Sequence, residues 1–332
     1  MMKKKISTLT AVSFAAALAL SACGGGGGGG GNGGSSTSAA ASSTPASSPV
    51  TGNVTTPQYT ANSAQQAIFA TLNQYRQQCG FPALTENTLL DAASLNHAKY
   101  TAQNNVAGDS ESSSNPGFTG ATYAVRAANV GFPSSSVAVA GVSNNFWTTP
   151  ALTEAEYGQN LLNGWISGVY HIAVATWPVT QVGIGYTETP FSGAPQAWAS
   201  LTIANLQPAI SNGPQTFPCQ GTTGVPYKAL GEIPTPPNTS GAWGTPVAVV
   251  GNPQDTIVMQ SGKMTDTSGT VIALQVLDSA KDPNKLLLAY EGVAYPATPL
   301  SPNTSYTVTL TGTINGTAFS RTFSFTTGNS VG

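Results

Sequence analysis

Apolar side chains recur at helical spacing directly after residue 62. Between Ser63 and Gly80 they are separated by four, four, three and four residues, which places them on one face of a helix. These positions are Ala64, Ile68, Leu72, Tyr75 and Cys79. Ser63 is a suitable N-cap for this helix and Gly80 a suitable stop, so the pattern predicts a helix between them.

Three further helices and then a set of strands follow the first helix. The second helix is expected from about Thr88 to Asn104, and the third from Tyr123 to Val130. The fourth begins at Thr153, where Glu156 three residues later completes a capping box. The segments HIAVATW, TQVGIGYT and QAWASLTIA are then predicted as strands. Residues 63–206 therefore indicate an α+β domain, with helices first and a compact antiparallel sheet after them.

The last third of the chain has a different pattern. Residues 207–242 are rich in Pro, Gly, Thr and Asn and are predicted as a linker. Residues 243–332 contain only strand-like segments, and Asn315 with Gly316 between two alternating runs predicts a type I′ hairpin. Several short strands in this region indicate a β-sandwich. The ending PNTSYTVTL…FSFTTG also resembles the immunoglobulin-like modules of bacterial surface proteins.

The N-terminus has the form of an export signal. Residues 1–22 combine three lysines, a short apolar stretch and small residues, and the stretch is too short to favour a spanning helix. LSAC, which ends at Cys23, resembles the lipobox of bacterial lipoproteins, so we expect a lipid on Cys23. By the same resemblance, Gly24 suggests the outer membrane of a Gram-negative cell. The alternative is an ordinary secretion signal cleaved near Ala22. The rest of residues 23–62 is Gly- and Ser-rich and predicts a flexible tether.

Charge and cysteine content narrow the possible functions. Charged residues make up 7% of the chain, against roughly 25% in an average soluble protein. No basic cluster follows the first lysines, so nucleic-acid binding is not expected. If Cys23 carries lipid, Cys79 and Cys219 remain as a pair in an oxidising compartment, and we expect them to be joined. Two free buried thiols are the alternative.

Residues 64–205 resemble a known family. The stretch LNQYRQQCGFPALTENTLLDAASLNHAKY, with Asn73, Tyr75 and Arg76 followed by a helix that carries His97, resembles the opening of the CAP superfamily. This superfamily comprises the cysteine-rich secretory, antigen-five and pathogenesis-related proteins. FTGATYAVRAANVGF resembles its bacterial branch, and the segment from Tyr170 to Tyr186 resembles its late H…VGVGY motif. The resemblance implies an α-β-α sandwich.

The same resemblance places the only two histidines, His97 and His171, on the positions of the family's cavity histidines. It implies that the rings face each other across one cleft, with Tyr170 beside them. With two glutamates such a pair can hold zinc or a similar divalent ion, which would bring the nearest ring nitrogens within roughly 4 Å. The family's glutamates are missing here: AGVSNNF has none, and Glu154 and Glu156 lie at a helix start. Glu111 is the first candidate replacement and Glu156 the second, so we expect at most weak metal binding by His97 and His171, or a hydrogen-bonded pair of cavity histidines.

Three functions are compatible with these features. The first is a surface-anchored binding protein for an apolar ligand, such as a sterol or fatty acid, or for a protein partner, without robust catalysis. The second is a metal-assisted or histidine-dependent protease or esterase, although the chain contains neither G-x-S-x-G nor H-E-x-x-H. The third is a structural or adhesive role through the C-terminal domain. We favour the first.

Overall fold

The structure is a computed structural model that describes residues 52–135, 137–239 and 241–332. The expected signal sequence, Cys23 and most of the expected tether lie outside these residues. None of the helices that the structure describes is long and apolar enough to cross a membrane.

The four predicted helices are confirmed close to their expected limits. They are α1 (Ala64–Gln78), α2 (Thr88–Asn104), α3 (Tyr123–Asn129) and α4 (Glu154–Ser167). Ser63 caps α1 by accepting a hydrogen bond from the Gln66 N–H. Thr153 and Glu156 form the predicted capping box at the start of α4. Local signals in the sequence are therefore sufficient to place these helices.

The prediction of a strand over HIAVATW is wrong. His171 lies in a turn after α4, and Ala173–Thr176 form a short helix, α5. This segment is buried on all sides, and a short buried run has no apolar periodicity that separates helix from strand. The buried guanidinium of Arg76 also holds the segment in place, since it donates to the carbonyl oxygens of Val174 (3.2 Å), Trp177 (2.9 Å) and Val179 (3.0 Å).

The helices pack on a four-stranded sheet. Its strands are β1 (Thr85–Glu86), β2 (Val139–Trp147), β3 (Val179–Phe191) and β4 (Ala194–Leu206), in the order β1-β3-β4-β2. β1 pairs parallel with β3, and the other pairs are antiparallel. The local pattern predicts no strand at β2, which contains Gly141, Ser143, Asn144 and Asn145. Its strand conformation follows from nine register pairs with β4 rather than from local propensity.

Helices lie on both faces of this sheet because β3 alternates large and small residues. Val182 and Ile184 join the core formed with α1 and α4. Gly183 and Gly185 face the other way and meet the backbone of α2, where a Cβ on either would lie 2.1 Å from a backbone atom. The VGIGY motif therefore serves packing on one side and close helix approach on the other. The predicted α+β class is confirmed.

A second, all-β region follows as one curled eight-stranded sheet. Its strands are β5 (Gln215–Phe217), β6 (Thr223–Val225), β7 (Val247–Val250), β8 (Ile257–Asp266), β9 (Val271–Asp278), β10 (Glu291–Pro296), β11 (Ser305–Ile314) and β12 (Thr317–Thr327). The order is β5-β7-β10-β9-β8-β11-β12-β6. β9 pairs with β8 through its first residues and with β10 through its last ones, which marks a change of partner along one strand.

The hairpin prediction is confirmed in this sheet. β11 and β12 pair over ten residues and are joined by Asn315 and Gly316 alone. Both turn residues have positive φ, 51° and 78°, as a type I′ turn requires.

The segment that was expected to be a linker contributes to the second sheet. β5 pairs with β7 and β6 pairs with β12, so the sheet begins and ends with strands from residues 207–242. The Pro and Gly content of a segment indicates only its local flexibility. The strand conformation of β5 and β6 depends instead on pairing with strands that are distant in the sequence. The second region therefore begins at β5, and residues 207–214 connect the two sheets.

Several contacts join the two regions. Cys79 at the end of α1 is bonded to Cys219, with their Cα atoms 5.4 Å apart, which confirms the predicted disulfide. Tyr75 contacts Phe217 with ring centroids 5.3 Å apart. The indole N–H of Trp243 donates to the carbonyl oxygen of Ser167 at 2.9 Å. Apolar residues of both regions belong to one continuous core.

Removing the disulfide should destabilise the whole molecule. The bond closes a loop of 140 residues, for which the chain-entropy model gives about 5 kcal/mol as an upper value. We expect the variant with Cys79→Ser and Cys219→Ser to unfold at lower denaturant concentration than the wild type. Adding reductant to the wild type should produce the same loss. An unchanged midpoint in both experiments would contradict the structural role of this bond.

Candidate functional site

His97 is fully buried and both of its ring nitrogens face oxygen atoms. It projects from α2, where Nδ1 lies 2.9 Å from Glu111 Oε1 and Nε2 lies 3.0 Å from the carbonyl oxygen of Gly108. Burial lowers the pKa of His97 to about 4, although the hydrogen bond with Glu111 acts in the opposite direction. A neutral imidazole carries one N–H and donates to one of these two acceptors. Neither nitrogen is directed to solvent.

Glu111 is held by several donors besides His97. Its Oε2 accepts from the N–H groups of Thr119 (2.5 Å) and Gly120 (3.1 Å), and its Oε1 lies 3.9 Å from Arg126 Nε. Burial raises the pKa of Glu111, but the hydrogen bonds from His97 and Thr119 outweigh it, so the pKa is lowered. Glu111 is therefore an ionised carboxylate that anchors the loop after α2.

Asp109 lies two residues earlier in the same loop and connects it to the sheet. Its Oδ1 accepts from the hydroxyl groups of Tyr123 (2.8 Å) and Ser143 (3.0 Å). Burial raises the pKa of Asp109 to about 6, and the electrostatic effect of His171 opposes that rise. The loop from Gly108 to Glu111 therefore contacts His97 directly and lies within electrostatic range of His171.

His171 is paired with a carboxylate from a distant part of the chain. Its Nδ1 lies 2.7 Å from Oε1 of Glu232, and both side chains are fully buried. Glu232 Oε1 also accepts from the N–H groups of Tyr170 (3.0 Å) and His171 (2.9 Å), while Oε2 accepts from Val169 N–H (2.8 Å). One carboxylate thus accepts from three backbone N–H groups of the turn after α4 and lies against the His171 imidazole.

The absence of a side chain at Gly168 allows the Glu232 carboxylate to lie close to the turn after α4. A Cβ at residue 168 would lie 2.7 Å from Glu232 Oε1 and 3.0 Å from His171 Nδ1. Only a residue without a side chain leaves the carboxylate room against the turn.

Tyr170 faces the second sheet. Its hydroxyl donates to Asp282 Oδ1 at 2.9 Å and accepts from Asn284 Nδ2 at 2.8 Å. Burial raises the pKa of the Tyr170 hydroxyl. Tyr170 therefore connects the turn to the loop between β9 and β10, and its ring is buried.

The predicted site residues divide into two groups. His97 and Glu111 come together, and His171 and Tyr170 lie in the turn that Glu232 holds. Glu156 is in the capping box of α4, and its neighbour Glu154 is exposed at the start of that helix. The expectation that His97 and His171 face each other across one cleft stays a prediction.

The arrangement does not fit a metal centre. Among the residues that the structure describes, no group of three or more His, Cys, Asp or Glu side chains is placed to hold a metal ion. Glu111 and Gly108 already contact the two ring nitrogens of His97. The buried carboxylates of Glu111 and Glu232 instead accept hydrogen bonds from backbone N–H groups.

Sequence reasoning missed Glu232 and Asp109. Glu232 stands in a Pro- and Gly-rich stretch, where no local pattern marks a buried carboxylate. The low acidic content of the chain could have drawn attention to Glu232. The chain has 13 acidic residues, and Glu232 is the one acidic residue between 207 and 242. Asp109 lies in the same loop as Glu111 and could have been considered with it.

A family model matches part of the first region. The model of the cysteine-rich secretory protein family, CAP, matches residues 69–199. Glu232 and Cys219 lie outside these residues. No curated protein matches the chain.

Two solved structures are distantly similar. An outer surface protein from Borrelia burgdorferi is 10% identical, with 43% of this chain and 93% of that chain covered and a TM-score of 0.33. A DUF4426 family protein from Pseudomonas aeruginosa is 18% identical, with 26% and 74% covered and a TM-score of 0.20. Similarity at this level is too low to define a common fold.

Replacing Glu232 should lower the free energy of unfolding. Glu232→Ala leaves three buried N–H groups and a buried imidazole without their carboxylate, and we expect a loss of about 3–5 kcal/mol in the free energy of unfolding. Glu232→Gln keeps one oxygen acceptor and should lose less. The matched control is Glu188→Ala, which removes an exposed carboxylate that accepts from Tyr186 and should have little effect. Equal stability of Glu232→Ala and the wild type would contradict the assigned role.

Proposed function

We propose that this protein is a surface-anchored binding protein, without robust catalysis, that is built on a CAP-family domain. The observation that carries the proposal is the state of the two histidines. Both are 0% exposed and both contact buried carboxylates, so neither imidazole reaches a substrate that approaches from solvent. A hydrolase would need at least one base that touches its substrate.

Anchoring forms the second part of the proposal. A lipid on Cys23 would attach the molecule to the cell envelope, at the outer membrane or cell surface of a Gram-negative bacterium. The tether would then hold the folded regions away from the membrane. On this view the C-terminal sheet is an immunoglobulin-like module that supports the CAP-family domain. The support for these points is the sequence of residues 1–62 and the resemblance of residues 243–332.

The partner is either an apolar ligand or a protein, and the described surface favours a protein. A surface depression of about 590 Å³ is bounded by polar groups: residues 60–63, Gln65, Glu154 and Tyr186. That lining does not suit a sterol or fatty acid. Phe191 is 39% exposed at the turn between β3 and β4, and its ring centroid lies 5.1 Å from that of Trp147. Trp147 is half-buried, and aromatic residues are enriched at protein interfaces.

The mature chain should show no hydrolysis above background on a panel of ester and peptide substrates, with or without zinc. The physical reason is that no solvent-facing base is available at His97 or His171. A fatty-acid and sterol binding assay on the same preparation separates the two partner classes, and saturable binding there would select the apolar ligand.

The control variants are His97→Gln and His171→Gln, each checked for folding by circular dichroism. Turnover by the wild type that either folded variant abolishes would contradict the proposal and establish the hydrolase alternative.

A further inference from the structure

The outer edge of β12 is covered over only part of its length. β11 pairs with β12 along ten residues on one side, whereas on the other side β6 pairs with it only at Thr326 and Thr327. Next to that contact, the Ser324 carbonyl oxygen accepts from the Gly221 N–H at 2.8 Å, and the Ser324 N–H donates to Gln220 Oε1 at 3.0 Å. The last part of this edge is therefore occupied by β6 and the segment before it.

The first part of the same edge is open. Backbone direction alternates along an antiparallel strand, so the N–H and C=O groups of Ala318, Ser320 and Thr322 point to the same side as those of Ser324. Within the described residues these groups pair with no other strand, and the Ser320 carbonyl oxygen accepts from its neighbour Arg321 at 3.2 Å. All three residues are exposed. An open edge of this kind can pair with another extended chain.

The opposite end of the sheet shows how such an edge is protected. β5 has three residues and lies between Pro214 and Pro218. Short strands and prolines discourage pairing with a further chain, because proline cannot donate to a ladder. The open part of β12, TAFSRTF, contains no proline and has one charged residue, Arg321. This edge therefore lacks the protection that β5 has.

We propose that the open edge binds a second copy of the chain, with the two β12 strands paired antiparallel around a two-fold axis at Ser320. In this register Ser320 lies opposite Ser320 of the partner subunit, and Ala318 lies opposite Thr322 of the partner subunit. The outward N–H and C=O groups of these residues then all have partners, and the pair uses the open edges of both copies. This self-association is separate from the binding of another molecule that is proposed above.

The charged and hydroxyl side chains favour this register. An axis at Arg321 would place two guanidinium groups opposite each other, and like charges in that position destabilise a pair of strands. With the axis at Ser320, Arg321 faces Phe319 of the partner subunit. Within one copy the Arg321 guanidinium already lies 5.8 Å from the Phe319 ring centroid. The two Ser320 hydroxyls would also continue the cross-strand hydroxyl pairs of β11 and β12, such as Thr307 and Ser324 at 3.0 Å.

Sedimentation equilibrium of the mature chain tests the pairing. Every sample carries Cys23→Ser, so that neither a lipid nor a disulfide at residue 23 can join two copies. We expect a reversible dimer with a Kd on the order of 10 μM, because two short strands form a small interface.

Two variants change the edge without changing the β11 ladder. Ser320→Lys places two ammonium groups at the axis, and Thr322→Pro removes an outward N–H, so each should weaken the dimer at least about tenfold. The matched control is Thr307→Lys, which adds the same charge at an exposed position of β11. It should dissociate as the wild type does. Circular dichroism identifies the variants that fold, and either folded edge variant is sufficient for the test.

Ser320→Cys tests the register. Directly paired residues of this type have Cα atoms about 5.5 Å apart, which is within disulfide range. Mild oxidation should therefore link two copies of Ser320→Cys but not two copies of Thr307→Cys. A wild type that remains monomeric up to about 1 mM, a dimer that the edge variants do not weaken, or a dimer of Ser320→Cys that does not become linked would overturn the proposal.

Discussion

The buried contact between Glu232 and the turn at His171 holds the two regions of the molecule together. A carboxylate in a dry interior is tolerated only where donors surround it, and this one has three backbone N–H groups and an imidazole. The donors belong to the turn after α4 in the first region, whereas the acceptor lies between β6 and β7 of the second sheet. This contact therefore fixes the position of one region relative to the other. The disulfide and the hydrogen bond from Trp243 to Ser167 have the same effect.

The chain buries more than half of its acidic side chains. Seven of its 13 acidic side chains are buried: Glu86, Asp109, Glu111, Glu232, Asp278, Asp282 and Glu291. Two buried guanidinium groups, Arg76 and Arg126, hold loops by donating to carbonyl oxygens. The outer surface is correspondingly neutral, so long-range electrostatic steering contributes little to how this protein meets a partner. Under the proposed binding function, recognition rests on shape, on hydroxyl and amide groups, and on the few exposed aromatic rings.

The features of the fold that could be predicted are those determined by residues close to them in the sequence. The limits of α1 and α2, the capping box at Thr153 and the Asn315 turn follow from side chains within a few residues of each feature. β2, α5 and the strands β5 and β6 could not be predicted, because their conformations are set by pairing or burial against distant segments.

The candidate site divides in the same way. His97 and His171 were found by resemblance, and Glu111 was considered as a loop carboxylate. Glu232 reaches His171 from 61 residues away along the chain, a relation that no spacing in one sequence reveals. Residues 52–60 were likewise expected to be part of the tether, yet Val54, Gln58 and Tyr59 donate hydrogen bonds to Glu86 and Asp91 of the folded body.

Calorimetry decides whether the two regions behave as one body. If Glu232, the disulfide and the shared core couple them, heating the mature chain at pH 7 should give a single transition with equal calorimetric and van't Hoff enthalpies. Two separate transitions, one for the first region and one for the C-terminal sheet, would contradict the account.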